Sequence, residues 1–233
     1  MIAVFRREWK SFFSRLSGYL FLGILVMLTG IWMLVYNFYY GYTGFEYPLA
    51  MLNVSLALLF PLITVGLFQE ERRVGVKRFL RMLPLSEGDL ILGKYLYLMT
   101  ILGAVTVGMA LCPFLLRMYG EISYAKAYCG VLAFFLIGWA FLSVEFFLSL
   151  MIRNQLTLWI VSYCVPVVGV ALSYFAKSIS GVFGEVLTNV SLFGAYTPFL
   201  YGLLDLRSVG LWISVALIFT ALSICFSKRI RKG

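Results

Sequence analysis

The sequence predicts an all-α membrane protein with six transmembrane helices, and three observations predict it. Hydrophobic residues fill 62% of the 233 positions and charged residues only 12%, where soluble domains run near about half and about a quarter. Six apolar stretches recur along the chain, each close to the roughly 20 residues a helix needs to cross a hydrocarbon core of about 30 Å. Basic residues gather in alternate connections between those stretches. The expected unit is one transmembrane domain, residues 1–233, with no room for a sizeable soluble domain.

Residues 1–16 are expected to form an amphipathic interfacial helix. Phe5, Trp9, Phe12, Phe13 and Leu16 recur at helical spacing and share a face. Arg6, Arg7, Lys10, Ser11, Ser14 and Arg15 fall opposite. A basic face against an aromatic one suits a helix lying flat among lipid headgroups, or a charged flank of the first span. A cleavable signal is not expected, because the apolar run that follows is too long for one and lacks a small-residue cleavage site.

The first span is expected over 17–40, ending in Tyr36, Phe38, Tyr39, Tyr40 and Tyr42, an aromatic belt for the membrane interface. A loop with Gly41, Gly44, Glu46 and Pro48 leads to the second span, 50–68. A polar segment, 69–89, separates it from the third, 90–116. The fourth covers 127–151, Arg153-Asn154-Gln155 makes a turn, and the fifth covers 156–176. A moderately apolar stretch, 177–207, precedes the last span, 208–226. Pro61, Pro113 and Pro166 each interrupt a span's backbone bonding, as bends lining a path or as simple kinks.

Six spans place both termini on one side. That side carries Arg6, Arg7, Lys10, Arg15, Arg72, Arg73, Lys77, Arg78, Arg81, Lys94, Arg153, Lys228, Arg229, Arg231 and Lys232; the other has Arg117, Lys126, Lys177 and Arg207. The asymmetry assigns the termini and the polar segment to the cytoplasm. It also accounts for the net charge of +9 without nucleic-acid binding. The opposite connections are short, so no large extracytoplasmic domain is expected.

Several chemistries are excluded. Histidine is absent, and Cys112, Cys129, Cys164 and Cys225 are scattered without a CxxC, as small buried hydrophobes. No metal site and no catalytic constellation is expected. Gly88-Asp89-Leu90-Ile91-Leu92-Gly93-Lys94 fits a phosphate-loop pattern, but Tyr95 stands where magnesium needs Ser or Thr. The chain is therefore not expected to be an enzyme or to bind a nucleotide cofactor.

Glu145 is the one carboxylate placed inside a span. A charge there costs roughly 2.5–3.5 kcal/mol on insertion scales. Three readings stand: a group on a translocation path, an interhelix partner with Lys94 named for the pair, or a neutralised or snorkelled side chain with no role.

The polar segment reads Gln69-Glu70-Glu71-Arg72-Arg73-Val74-Gly75-Val76-Lys77-Arg78-Phe79-Leu80-Arg81. Helical spacing places Val76, Phe79, Leu80 and Leu83 on one face and Lys77, Arg78 and Arg81 on another. Pro84 stops the helix, and Ser86 with Asp89 caps the next. Three readings stand: the ridge rests on lipid, it enters a partner's groove, or the segment is a solvated positive-inside loop.

The run from Phe68 through Gly75, then Phe79-Leu80, Leu83-Pro84-Leu85-Ser86 and Ile91-Leu92-Gly93-Lys94, is similar to the permease signature of ABC-2 type transporters. Ser11-Phe12-Phe13 with Gly18-Tyr19-Leu20-Phe21, and Ser191-Leu192-Phe193 with Gly202-Leu203-Leu204-Asp205-Leu206-Arg207, resemble the gliding-motility-type branch. That branch includes the permease of nitrous-oxide-reductase maturation. The resemblance covers nearly the whole chain in order.

It implies a type V exporter-like fold, with a cytoplasmic coupling helix between the second and third spans. It implies a cytoplasmic ABC ATPase subunit that binds ATP and Mg2+, and a second permease, identical or different, facing the first. A further subunit with a large extracytoplasmic domain fits the same pattern. The ATPase-coupling residues would be Glu70, Glu71, Arg72, Arg73, Gly75, Val76, Arg78, Phe79, Leu80, Leu83 and Pro84. Val76 and Arg78 stand where the family usually has Thr and an acid, which implies a matched, more acidic ATPase surface. The membrane implied is the cytoplasmic (inner) membrane of a prokaryote. Two other classes are weighed: an autonomous channel or secondary transporter, and a non-transporting membrane anchor or assembly subunit. No inverted repeat supports a secondary transporter.

Overall fold

Long helices form where the apolar stretches predict them, and no strand occurs among the described residues. The computed structural model describes residues 2–14, 16–69, 87–118, 121–178 and 191–232. All eleven expected coupling residues, Glu70 through Pro84, lie outside the described residues, as does Ser86.

Helix α1 spans Ile2–Ser14. Helix α2 spans Leu16–Met33 and continues as a π-helical stretch, Leu34–Tyr39. Helices α3 (Glu46–Gln69), α4 (Glu87–Leu116), α5 (Tyr124–Met151) and α6 (Gln155–Ser178) follow. A 3₁₀ turn, Gly194–Tyr196, runs into the one-turn helix α7, Thr197–Leu200. Helix α8, Leu206–Lys232, closes the chain. Six segments are long and apolar enough to cross a membrane: Leu16–Tyr39, Glu46–Leu67, Leu90–Leu116, Tyr124–Met151, Gln155–Phe175 and Leu206–Phe226. The chain is therefore read as a multi-pass membrane protein.

Helices α3, α4 and α5 each begin three or four residues earlier than expected, and at α3 the reason is physical. Pro48, expected in a loop, lies in the first turn of α3. There a proline forfeits no hydrogen bond, since the first amides of a helix have no intrahelical partner. Tyr124 starts α5 three residues earlier than expected. Pro61, Pro113 and Pro166 lie inside α3, α4 and α6, which run on through them. The turn at Arg153 to Gln155 forms as expected, with the Leu156 amide donating to Asn154 Oδ1 at 3.1 Å.

α5 is the axis of the bundle and packs against α3, α4, α6, α7 and α8. Its small residues permit this. Ala127, Ala133 and Ala140 are fully buried. A Cβ on Gly138 would come within 2.8 Å of Leu102 and 3.3 Å of Leu56, so α3 and α4 both close on that point. α2, α6 and α8 keep most of their surface outward. Cys164 and Cys225 lie on such outward faces and Cys112 is half-buried, so only Cys129 is the buried small hydrophobe expected of all four. Lipid-facing helix surface is as apolar as the interior, so hydropathy does not distinguish the two.

The end of the bundle opposite α1 is closed by aromatic packing. Tyr36 stacks on Tyr47, which stacks on Tyr42. Asn37 Nδ2 donates to the Tyr42 and Gly44 carbonyls at 2.7 and 2.9 Å, pinning the loop. Phe193 meets Phe141 of α5 at 4.8 Å, and Phe199 meets Trp212 of α8 at 5.2 Å. Trp212 Nε1 donates to the Leu192 carbonyl at 3.1 Å.

Asp205 caps α8. Its carboxylate accepts the Arg207 and Ser208 amides at 3.2 and 3.3 Å and the Ser208 hydroxyl at 2.6 Å. The Ser208 hydroxyl, then the two amides, hold this carboxyl below the usual range. A depressed acid contributes stability that is present above its unfolded pKa and lost as pH falls through its folded one. Asp205→Ala is thus expected to cost about 1 kcal/mol at neutral pH, as cap removal does. Thermal unfolding of variant and parent should converge on acidification. A gap that persists at pH values where both forms of Asp205 are protonated would assign the loss to something other than the charged cap.

Candidate functional site

Three features converge at the α1 end of the bundle. The first is α1 itself. Phe12 is buried and meets Tyr97 of α4 at 6.3 Å, while Phe5 and Trp9 are part-buried and stack on each other. Arg6, Arg7 and Lys10 are exposed. The expected single apolar face is split: Phe13 and Leu16 are 45% and 74% exposed and point away from the protein. Helical periodicity sets the direction of an apolar stripe, but lipid and protein both satisfy it. The inner edge carries a residue the sequence reading passed over. Glu8 is 5% exposed and accepts from Arg7 Nη2 at 2.6 Å. It borders a small cavity with Ser11, Ser17, Gly66 and Tyr97.

The second feature lies where α3 and α4 approach each other. Lys94 of α4 is fully buried, and its Nζ donates to the Leu67 carbonyl of α3 at 2.9 Å. A charged donor on a buried carbonyl is among the stronger hydrogen bonds. It ties the last turns of α3 to the first turns of α4, the two helices that the polar segment joins. One residue on, Tyr95 joins three helices. Trp139 Nε1 of α5 donates to Tyr95 Oη at 2.6 Å, and Thr220 Oγ1 of α8 lies 3.0 Å from the same oxygen. Ser143 Oγ gives its hydrogen to the Trp139 carbonyl, so Tyr95 is the donor across the 2.8 Å to Ser143. Tyr95→Phe is expected to strand the Trp139 N–H and cost about 2 kcal/mol, or about 4–8 °C of unfolding midpoint. An unchanged midpoint would show that the hydroxyl holds nothing.

The third feature is Glu145. It is 1% exposed on α5, and neither carboxylate oxygen has a hydrogen-bond partner. The pair with Lys94 does not form; among the described residues the one ion pair is Arg7 with Glu8. The neighbouring polar group is Ser162 of α6. That residue is fully buried, and apart from the carboxylate it faces its hydroxyl has no partner among the described residues. No cluster of His, Cys, Asp or Glu among the described residues could hold a metal.

No protein-family model matches the chain, and no curated protein matches it.

Lys94, Tyr95 and Ser162 were the residues whose roles the sequence did not yield. The sequence offers Lys94 as a candidate partner for Glu145, and the structure gives its ammonium to the Leu67 carbonyl instead. Tyr95, Ser143 and Thr220 are single polar residues in apolar helices, a pattern that flags interhelical hydrogen bonding in general but not its pairing.

Proposed function

We propose that this chain is the permease subunit of an ATP-driven ABC transporter of the ABC-2 type, an exporter, with hydrolysis on a separate ATPase subunit. The observation that carries this reading is the ordered motif series over residues 68–94. It spans the connection between the second and third membrane-length helices, α3 and α4, of a six-span chain. The Lys94 tie between those helices suits a segment that must pass displacement to the spans rather than absorb it. In this reading α1 lies at the cytoplasmic interface with its arginines toward headgroups. A second permease, an ATPase under each, and an outer-domain subunit complete the assembly. The membrane is the inner membrane of a prokaryote, with both termini cytoplasmic.

The test is affinity capture of the tagged full chain from its native membrane in mild detergent, with MgATP hydrolysis measured on the product. An ABC ATPase recovered in stoichiometric amount, hydrolysing faster with this chain than alone, is the expected result. Solute movement without nucleotide would overturn the reading in favour of an autonomous transporter. A tight complex with no flux would leave an assembly subunit.

A further inference from the structure

We propose that Glu145 and Ser162 form a binding site for a compact monovalent cation in the seam between α5 and α6. The site does not depend on the transporter reading. The buried hydroxyls elsewhere in the spans are taken up by their own helices. Thr29 donates to Leu25, Thr64 to Phe60, Ser173 to Gly169 and Ser223 to Phe219, at 2.8–3.0 Å. Ser162 makes no such bond, although a serine in a helix interior ordinarily back-bonds to the turn before it.

Glu145 stands six residues from the end of α5, and Ser162 seven from the start of the antiparallel α6. Both are therefore about 9–11 Å from the same turn between the helices. Three buried oxygens, two of a carboxylate and one of a hydroxyl, thus lie at one depth in adjoining helices, facing one another and with no other hydrogen-bond partner among the described residues. Two other buried oxygens lack partners, on Asn37 and Asn53, but each belongs to an amide whose nitrogen is already bonded to a carbonyl.

Charge selects the occupant. A buried unpaired carboxylate is costly, and a bound cation neutralises it in place. Lys94 is directed to Leu67 and does not pair with it. α5 and α6 hold no other Asp or Glu, so the site balances one positive charge, not two. Hard oxygen donors favour a hard cation. An alkali ion and the ammonium head of an amine share that chemistry.

The test uses the purified full chain in mild detergent. Thermal unfolding is followed with sodium, potassium or methylammonium chloride replacing choline chloride at constant ionic strength. At least one compact cation is expected to raise the midpoint saturably, as a ligand that binds only the folded state must. Sodium or potassium alone would mark an ion site; methylammonium alone would mark the head of a larger amine. Glu145→Gln should abolish the effect, and Ser162→Ala should raise the half-saturating concentration about tenfold, the worth of one ligand bond. Indifference of the parent to all three cations overturns the site, as does a Glu145→Gln protein that still responds. Should Glu145→Gln not fold, Ser162→Ala decides, and an unchanged half-saturation overturns the proposal.

Discussion

Replacing Gly18 by leucine is expected to lift α1 off the bundle. Gly18 is buried where the chain turns from α1 into α2. A Cβ there would collide with the Phe12 carbonyl oxygen and press on the Phe12 ring at 3.0 Å. The colliding atom is backbone, so no rotamer change relieves it. Relief comes only by opening the corner, which withdraws Phe12 from Tyr97 and uncovers Glu8. Overpacking of this kind costs about 1–3 kcal/mol, and here it falls on the contacts of one helix. A cysteine at position 12, with the native cysteines replaced, should become reactive to a water-soluble maleimide in Gly18→Leu and stay protected in the parent. Gly23→Leu is the control, because a Cβ at Gly23 meets nothing within 4 Å. Protection that survives Gly18→Leu would show that the corner yields without moving the helix.

The spans were legible because about 20 apolar residues in a row leave one structure available in a bilayer, the helix. The turn at Asn154 was legible because its side chain caps the helix that follows. Pro48 was misplaced because a proline is the same letter in a loop and in a first turn. Periodicity located the apolar stripe of α1 but not what covers each part of it, so Phe12 and Phe13 parted company. Glu145 stood out as a lone acid among apolar residues. Its neighbour was out of reach, because Lys94 and Ser162 can both be counted to a similar depth. Only the helix arrangement gives Lys94 to the Leu67 carbonyl and leaves Ser162 beside the acid. The Tyr95 hub draws on residues 44 to 125 positions away, and no single helix's pattern carries such pairings. The coupling residues 70–84 rest on the sequence alone.

Phe79→Ala is expected to release the ATPase or to uncouple its hydrolysis from transport. Val76, Phe79, Leu80 and Leu83 recur at helical spacing as the one apolar ridge in a charged segment. In the proposed assembly that ridge enters a groove on the ATPase, with Phe79 as its largest anchor. Aromatic anchors at interface centres cost about 2 kcal/mol or more on truncation, which is roughly thirtyfold in affinity. Glu70 and Glu71 precede the ridge, where a helix's N-terminal dipole favours acids. Gly75 lacks the Cβ that would hold two backbones apart, so Gly75→Leu should act as Phe79→Ala does. Arg78 stands where the resembled family carries an acid, so its counterpart on the ATPase should be acidic. Arg78→Glu then sets like charges against each other. A reciprocal acid-to-arginine change on the ATPase should restore association, a coupling that independent losses would not show. Co-purification and the transport-linked hydrolysis rate are the two readouts. Undiminished association and coupling in both Phe79→Ala and Gly75→Leu would remove the segment from the interface, and with it the physical basis for assigning this chain to an ABC transporter.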